Sequence, residues 1–372
     1  MAIRIILNTL HRMVYPFLAV LGRGVGVDIT TMSYVLTARS VVGAVGPFAA
    51  STADRYGRRL VMLAGVALFT VAVATVVFWP TFPGLVIAII VSTLGKYLFE
   101  PSLHAYIGDQ IPYEVRGRTV AIIEFSWSLA FILGVPLAGF IIARNGWMAP
   151  FPLLALLGSI IFIALFFLLP NDKPSSIGHG PSSGVRLIVT SIPALAALAM
   201  GLCFAAGNEL VNLIFGIWLE ESFGLQIVAL GAASAVIGLS ELAGEGLVAA
   251  FVDRIGKPRA VALGLTVNCL AALSLPLLGR TGTGALVGLF FFYLSFEFMI
   301  VSTIPLMTEL VPSARATLMA FNIASLSLGR AIGDLLAPRL YAAGFWLVVI
   351  GAVGFNLLAL VALMRVKIPL KA

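Results

Sequence analysis

The chain has 372 residues, 60% of them hydrophobic and only 10% charged, with a mean hydropathy of +1.09. A soluble domain carries about 25% charged residues, so this composition excludes an ordinary soluble globular protein. The net charge of +7 would suit a nucleic-acid binder, but the basic residues lie in loops flanking apolar runs, which assigns them to a membrane surface and leaves no nucleic-acid partner.

A hydrocarbon core of ~30 Å takes about 20 apolar residues per helical span. Twelve such runs occur, over 4–23, 30–52, 60–79, 84–108, 118–142 and 149–169, then 189–218, 226–250, 260–279, 285–310, 316–341 and 344–364. They are too long for barrel strands, and unpaired backbone cannot face lipid, so helices are required. The first run has His11 and Arg12 in its middle and no small-residue cleavage site after it, so a retained helix is expected rather than a signal peptide. The longest break begins Pro170-Asn171-Asp172-Lys173-Pro174 and has the Pro/Gly/Ser-rich makeup of a flexible linker over 170–188. It separates an N-terminal six-helix bundle, 1–169, from a C-terminal one, 189–372. The predicted class is an all-α integral membrane protein in the cell membrane. With the amino terminus inside, fifteen bases fall at inward ends and four, Arg23, Arg144, Arg280 and Arg339, at outward ends. Both termini and the loops 54–59, 171–186 and 253–259 are then cytoplasmic. Cys203 and Cys269 lie within spans and predict no disulfide.

The hexapeptide Asp54-Arg55-Tyr56-Gly57-Arg58-Arg59 returns as Asp253-Arg254-Ile255-Gly256-Lys257-Pro258, each time after the second span of six. Asp109-Gln110-Ile111-Pro112 ahead of Arg116 likewise corresponds to Glu309-Leu310-Val311-Pro312 ahead of Arg315. Twelve spans, a 6+6 repeat and the D-R-x-G-R-R loop together resemble the major facilitator superfamily over essentially the whole chain, closest to its drug:proton antiporters. Ala50 and Ala249 stand where that superfamily's loop usually has its first Gly. The resemblance implies two bundles related by a pseudo-two-fold axis that expose a shared site to each side in turn. It also implies a cytoplasmic latch of Asp54, Arg55, Gly57, Arg58, Arg59, Asp109, Arg116, Asp253, Arg254, Gly256, Glu309 and Arg315. Charge-assisted hydrogen bonds in such a cluster tie helix ends together in one conformation and release them in another. The plainer alternative is that these loops only anchor topology. The stretch Gly134-Val135-Pro136-Leu137-Ala138-Gly139 is similar to the G-P-x-x-G-G element of proton-coupled antiporters, interrupted by Val135; close packing with a kink explains it equally. The fourth span lacks the antiporters' Arg-x-x-Gln-Gly, although Lys96 puts a positive charge there.

Ionisable residues inside spans cost ~2.5–3.5 kcal/mol each, which marks them as functional candidates. They are Arg12, Arg39, Lys96, Glu100, Glu124, Glu209, Glu241, Glu245, Glu297, Arg330 and Asp334. Spans three, six, nine and twelve have none, so those should face lipid and the others a wet cavity. Arg12 and Arg39 are level across one hairpin, and Glu100 and Glu124 across another. Lys96, Glu100 and His104 share a helical face at spacing four. This predicts a buried layer of Arg12, Arg39 and Lys96 against Glu100 and Glu124. With seven acids to four bases in the spans, some carboxylates should lack a base, and a carboxylate in low dielectric can carry a proton near neutral pH. Glu100, Glu124, Glu241, Glu245 and Glu297 are the proton-coupling candidates. Arg12, Arg39, Lys96, Asn208, Glu209, Asn212, Arg330 and Asp334 are the substrate-cavity candidates.

No G-x-x-x-x-G-K-[ST] or H-E-x-x-H sequence occurs, so neither ATP-driven transport nor an enzyme is expected. No cofactor or metal is implied. The expectation is a secondary transporter working by alternating access as a monomer, whose partners are a small-molecule substrate, protons and the lipid bilayer. Proton-coupled export of a small amphipathic compound heads the list. A lipid or lysolipid flippase, a proton-coupled importer of a small polar solute, and a transport-inactive sensor or scaffold stay open.

Overall fold

The computed structural model describes residues 1–46, 56–112, 115, 119, 122–170 and 182–366. Asp54, Arg55 and Arg116 lie outside the described residues, as does the side chain of Asp109. Every regular element among the described residues is helical. Long apolar runs leave the backbone no solvent to bond, and a helix pairs each N–H and C=O within its own run.

The chain divides into two compact units. The first, Met1–His179 with Gln226–Ala235, holds α1 (Ala2–Met13), α2 (Leu18–Val25), α3 (Ile29–Val45), α4 (Arg58–Phe78), α5 (Phe82–Gln110), α6 (Ser126–Leu129), α7 (Val135–Asn145) and α8 (Pro150–Leu168). α1 and α2 form the first span, bent by 73° between Met13 and Leu18. Pro16 causes the break, since it has no N–H and its ring clashes with the carbonyl of residue i−4. Asp28 caps α3 by accepting from the Thr31 amide at 2.9 Å. α6 and α7 are one span joined by a π-helical stretch, Ala130–Gly134. Its wider turn absorbs the missing donor of Pro136, and Gly134 leaves room for Thr9 of α1. α4 and α5 cross at Gly65 and Gly95, where a Cβ on either would lie 2.5–2.6 Å from the other's carbonyl oxygen. Backbones this close need glycine on both sides.

The second unit, Gly180–Leu225 with Val236–Ala372, holds α9 (Ser182–Thr190), α10 (Ile192–Phe223), most of α11 (Ile227–Ile255), α12 (Lys257–Leu278), α13 (Gly282–Leu310), a 3-10 turn at Pro312–Ala314, α14 (Arg315–Ala342) and α15 (Phe345–Leu363). α9 begins inside the stretch expected as linker. Its Ile188 is fully buried among Leu306, Leu310 and Leu318, so the apolar tail of that stretch folds onto this unit. A polar chain is buried here as well. The Asn268 amide donates to Phe292 O (2.8 Å) and to Ser295 Oγ (3.0 Å), and its carbonyl accepts from Asn356 at 2.8 Å. It ties α12 to α13 and α15.

Helix is found at all twelve expected spans, in the arrangement of two six-helix bundles. Among the described residues, nine helical spans are long and apolar enough to cross a membrane alone. The other three are the bent α1–α2 pair, the 17-residue α3, and α14 with its Arg330 and Asp334. The spans without internal charge, which lie within α4, α8, α12 and α15, expose stripes of large apolar side chains, among them Val71, Ile163, Leu270 and Val361. That is the surface a lipid-facing helix presents.

Candidate functional site

The first unit gathers charge around Arg4, a residue whose position at the end of a span predicts a membrane-surface base. Arg4 is instead buried. Its two terminal nitrogens donate to the two carboxylate oxygens of Glu124, at 2.9 and 3.0 Å. Its Nε reaches Glu100 at 3.4 Å, and Nη1 also donates to Ile123 O at 3.1 Å. Lys96 approaches Glu100 at 3.9 Å, one turn away on α5, and His104 Nε2 lies 3.3 Å from Glu124. Two carboxylates thus share a guanidinium, an ammonium and an imidazole. Glu124, expected among the carboxylates without a base, is held by Arg4, and its side chain remains 42% exposed.

Arg12 and Arg39 are buried but take other partners than the predicted layer assigns them. The Arg12 guanidinium stacks on Trp127 (4.2 Å) and Phe131 (3.5 Å) and donates to Trp127 O at 3.2 Å. Lys96 Nζ lies 4.6 Å from the same Trp127 ring. Arg39 donates to His11 O at 3.0 Å and to the Tyr15 hydroxyl at 2.5 Å. Aromatic faces and freed carbonyls at the α1–α2 bend therefore stabilise these cations. Arg4, Asn8 and Arg12 fall at spacing four on α1 and share one face. Asn8 is fully buried, and neither its amide nitrogen nor its carbonyl oxygen has a hydrogen-bond partner among the described residues.

The second unit buries Glu209 completely on α10. Its Oε2 accepts from Asn212 at 3.3 Å, and Asn212 Oδ1 in turn accepts from Tyr293 of α13 at 2.9 Å. Glu209 Oε1 and Asn208 Oδ1 have no hydrogen-bond partner among the described residues. Gly333 of α14 packs onto Glu209, where a Cβ would come within 2.5 Å of the glutamate's own. The next residue, Asp334, is also fully buried, and Arg330 lies one turn before it. Glu297 of α13 packs against α11 at Gly244, between Glu241 and Glu245 in sequence.

The glycine at the fourth position of each hexapeptide takes the same backbone conformation. Gly57 and Gly256 each precede a helix, with φ of +91° and +89°, a region that favours glycine. In the second copy Lys257 pairs with Glu309, joining the start of α12 to the end of α13. Arg315 Nε donates to Thr308 O at 2.9 Å, and Asp253 and Arg254 are exposed. In the first copy Arg58 opens α4, and Arg59 donates to Phe166 O at 2.6 Å near the end of α8.

Residues 2–333 match the Major Facilitator Superfamily. The chain belongs to that superfamily. It is therefore a multi-pass membrane protein of a secondary-transport family that moves small molecules. It is 22% identical to Multidrug resistance protein 2 of Bacillus subtilis (strain 168), over 84% of this chain and 80% of that one. The uncharacterized transporter YwfA of the same organism is 31% identical, but the match spans only 34% of this chain and 31% of the relative. The crystal structure of a D-xylose-proton symporter superposes with a TM-score of 0.78 at 15% identity, covering 96% and 94% of the two chains. That likeness is one of fold.

Four residues of these clusters escape a reading of span charges alone. Arg4 and Asn8 carry a signal in their spacing with Arg12. Lys257 carries one in its alignment with Arg58. Tyr293 carries none, because its partner Asn212 lies 81 residues away.

Proposed function

We propose that this superfamily member exports a small amphipathic organic compound in exchange for protons, as a monomer in the cell membrane with both termini cytoplasmic and with no catalytic activity of its own. The observation that carries the coupling is the sharing of Glu124 between Arg4 and His104. A proton delivered to Glu124 cancels the charge that holds Arg4 bidentate, so protonation and helix contact at α1 are linked. Glu100, Glu241, Glu245 and Glu297 are the further acids through which protons pass. In the second unit Glu209 Oε1 and Asn208 Oδ1 offer acceptors to a donor-bearing cargo, with Asn212, Arg330 and Asp334 around them. Export is supported by the relation to a multidrug resistance protein. Transport proceeds by alternating access, and the paired loops latch the cytoplasmic side: Asp54, Arg55 and Arg58 with Asp109 in one half, Lys257 with Glu309 in the other.

A second reading, proton-coupled import of a small polar solute, draws on Asn8. Its unpartnered amide beside Arg4 and Arg12 suits a polar or anionic group.

Thermal stabilisation of the purified protein by a panel of cationic, neutral and anionic compounds, repeated from pH 5 to 9, separates the two. Export predicts stabilisation by amphipathic cations or neutrals that weakens as protons bind. Import predicts stabilisation by anions that strengthens with them.

A further inference from the structure

On the second unit an apolar groove of about 260 Å³ opens between α11, α12 and α13. Leu247, Phe251 and Ile255 form one wall at spacing four, Leu263 and Val267 a second, and Phe298 a third. Phe251 and Leu263 are 44% and 47% exposed, so the groove faces outward from the unit. Ser295 contributes the one hydroxyl in the lining, and that group is spent on Phe291 O and Asn268. Nothing polar in the groove rewards a polar guest. Its length along α11, from Leu247 to Ile255, is about 12 Å at the helical rise.

The charge lies at one end. Arg259 precedes Leu263 and Val267 on the same stripe of α12, at spacing four. Arg254 follows Phe251 by three residues on α11. Both arginines are exposed and neither has a partner among the described residues. Between them α12 begins at Lys257 without a side-chain cap, which leaves amide donors pointing toward the same end.

We propose that this groove is a binding site for one anionic phospholipid, with an acyl chain along α11 and α12 and the phosphate between Arg254 and Arg259. The occupant follows from the complementarity of a long dry groove to a chain and of two free guanidiniums to an anion. A neutral lipid satisfies the first and not the second. The basic end is the cytoplasmic one by the excess of positive charge, and that leaflet holds the anionic lipids. The lipid then sits beside the Lys257–Glu309 pair and bears on the loop that pair secures. The site does not depend on the identity of the cargo or on proton coupling.

Native mass spectrometry of the purified full chain with phosphatidylglycerol and phosphatidylcholine of matched chains tests it. The wild type should retain phosphatidylglycerol preferentially, each arginine contributing about five-fold. Arg254→Gln with Arg259→Gln should abolish that preference while leaving the melting temperature in detergent unchanged. Val267→Phe, which fills the groove, should reduce retention of both lipids. Arg144→Gln with Arg280→Gln, at the opposite loops, should change nothing. Equal retention of both lipids by the wild type would mean that the groove takes any acyl chain or detergent, and would overturn the proposal. A preference that survives the Arg254/Arg259 substitutions, or undiminished retention in Val267→Phe, would overturn it as well.

Discussion

Arg4 grips both carboxylate oxygens of Glu124 across 120 residues of chain, at 2.9 and 3.0 Å. The pair fastens α1 to the start of the fifth span, and Glu100 and His104 of α5 join it. A bidentate guanidinium–carboxylate contact is directional as well as strong. One group at the centre of it can therefore control the packing of three helices.

Arg4→Gln should destabilise the protein by about 2 kcal/mol, because it takes the shared guanidinium from two carboxylates and leaves them only Lys96 and His104. Glu124→Gln should cost less, since that side chain is part-exposed and Arg4 keeps Glu100. The double variant should cost less than the sum of the two. Thermal unfolding of the four proteins checks this, and strict additivity would show that the contact contributes nothing.

The Lys257–Glu309 pair should restrain the loop at 253–257. Its side chains are 26% and 36% exposed, so its loss is worth no more than about 1 kcal/mol. Glu309→Gln and Lys257→Gln should each speed amide exchange over 253–260 by up to about five-fold. The reversed pair, Lys257→Glu with Glu309→Lys, should restore protection. For the first copy, Asp54→Asn and Asp109→Asn should shift the resting state toward inward-open and slow transport. Unchanged cytoplasmic accessibility with unchanged flux in both would sink the latch.

Asn268→Ala should destabilise the second unit by about 1–3 kcal/mol, as it leaves the Asn356 amide buried without its Asn268 acceptor and removes one of the donors to Phe292 O. Asn356→Ala removes one bond of the chain and should cost less. Melting temperatures that fall in the opposite order would contradict this ranking.

The proposed topology is open to labelling. In a background lacking Cys203 and Cys269, a cysteine at Thr281 should react with an impermeant maleimide added to intact cells, and one at Ser175 should not. Ready labelling at Ser175 would reverse the orientation.

Much of the fold is legible in the sequence because lipid leaves few options. Runs of apolar residues must be helices, and a repeated hexapeptide with glycine at its fourth position returns the same backbone conformation at Gly57 and Gly256. Spacing of four is equally readable, as in Lys96, Glu100 and His104. Partners distant in sequence are not. Arg4 reads as a surface base because it begins a span, and nothing in its neighbourhood announces Glu124. Arg12 and Arg39 read as cations in want of acids, whereas the bend at Pro16 frees carbonyls and Trp127, Phe131 and Tyr15 offer ring faces. α9 is hidden because the Pro/Ser/Gly character of the preceding residues masks the short apolar stretch that anchors it through Ile188.

On the proposed mechanism, proton movement through carboxylates within the spans drives cargo. Proteoliposomes with an acidic lumen, given a fluorescent amphipathic cation such as ethidium outside, test it most directly. Proton-coupled export predicts accumulation beyond that of empty vesicles, collapse of the accumulation with nigericin, and loss of it on Gln replacement of at least one of Glu100, Glu124, Glu241, Glu245 and Glu297, with downhill exchange retained. Transport by the wild type that ignores the pH gradient, or full gradient-driven accumulation in all five single variants, would contradict it.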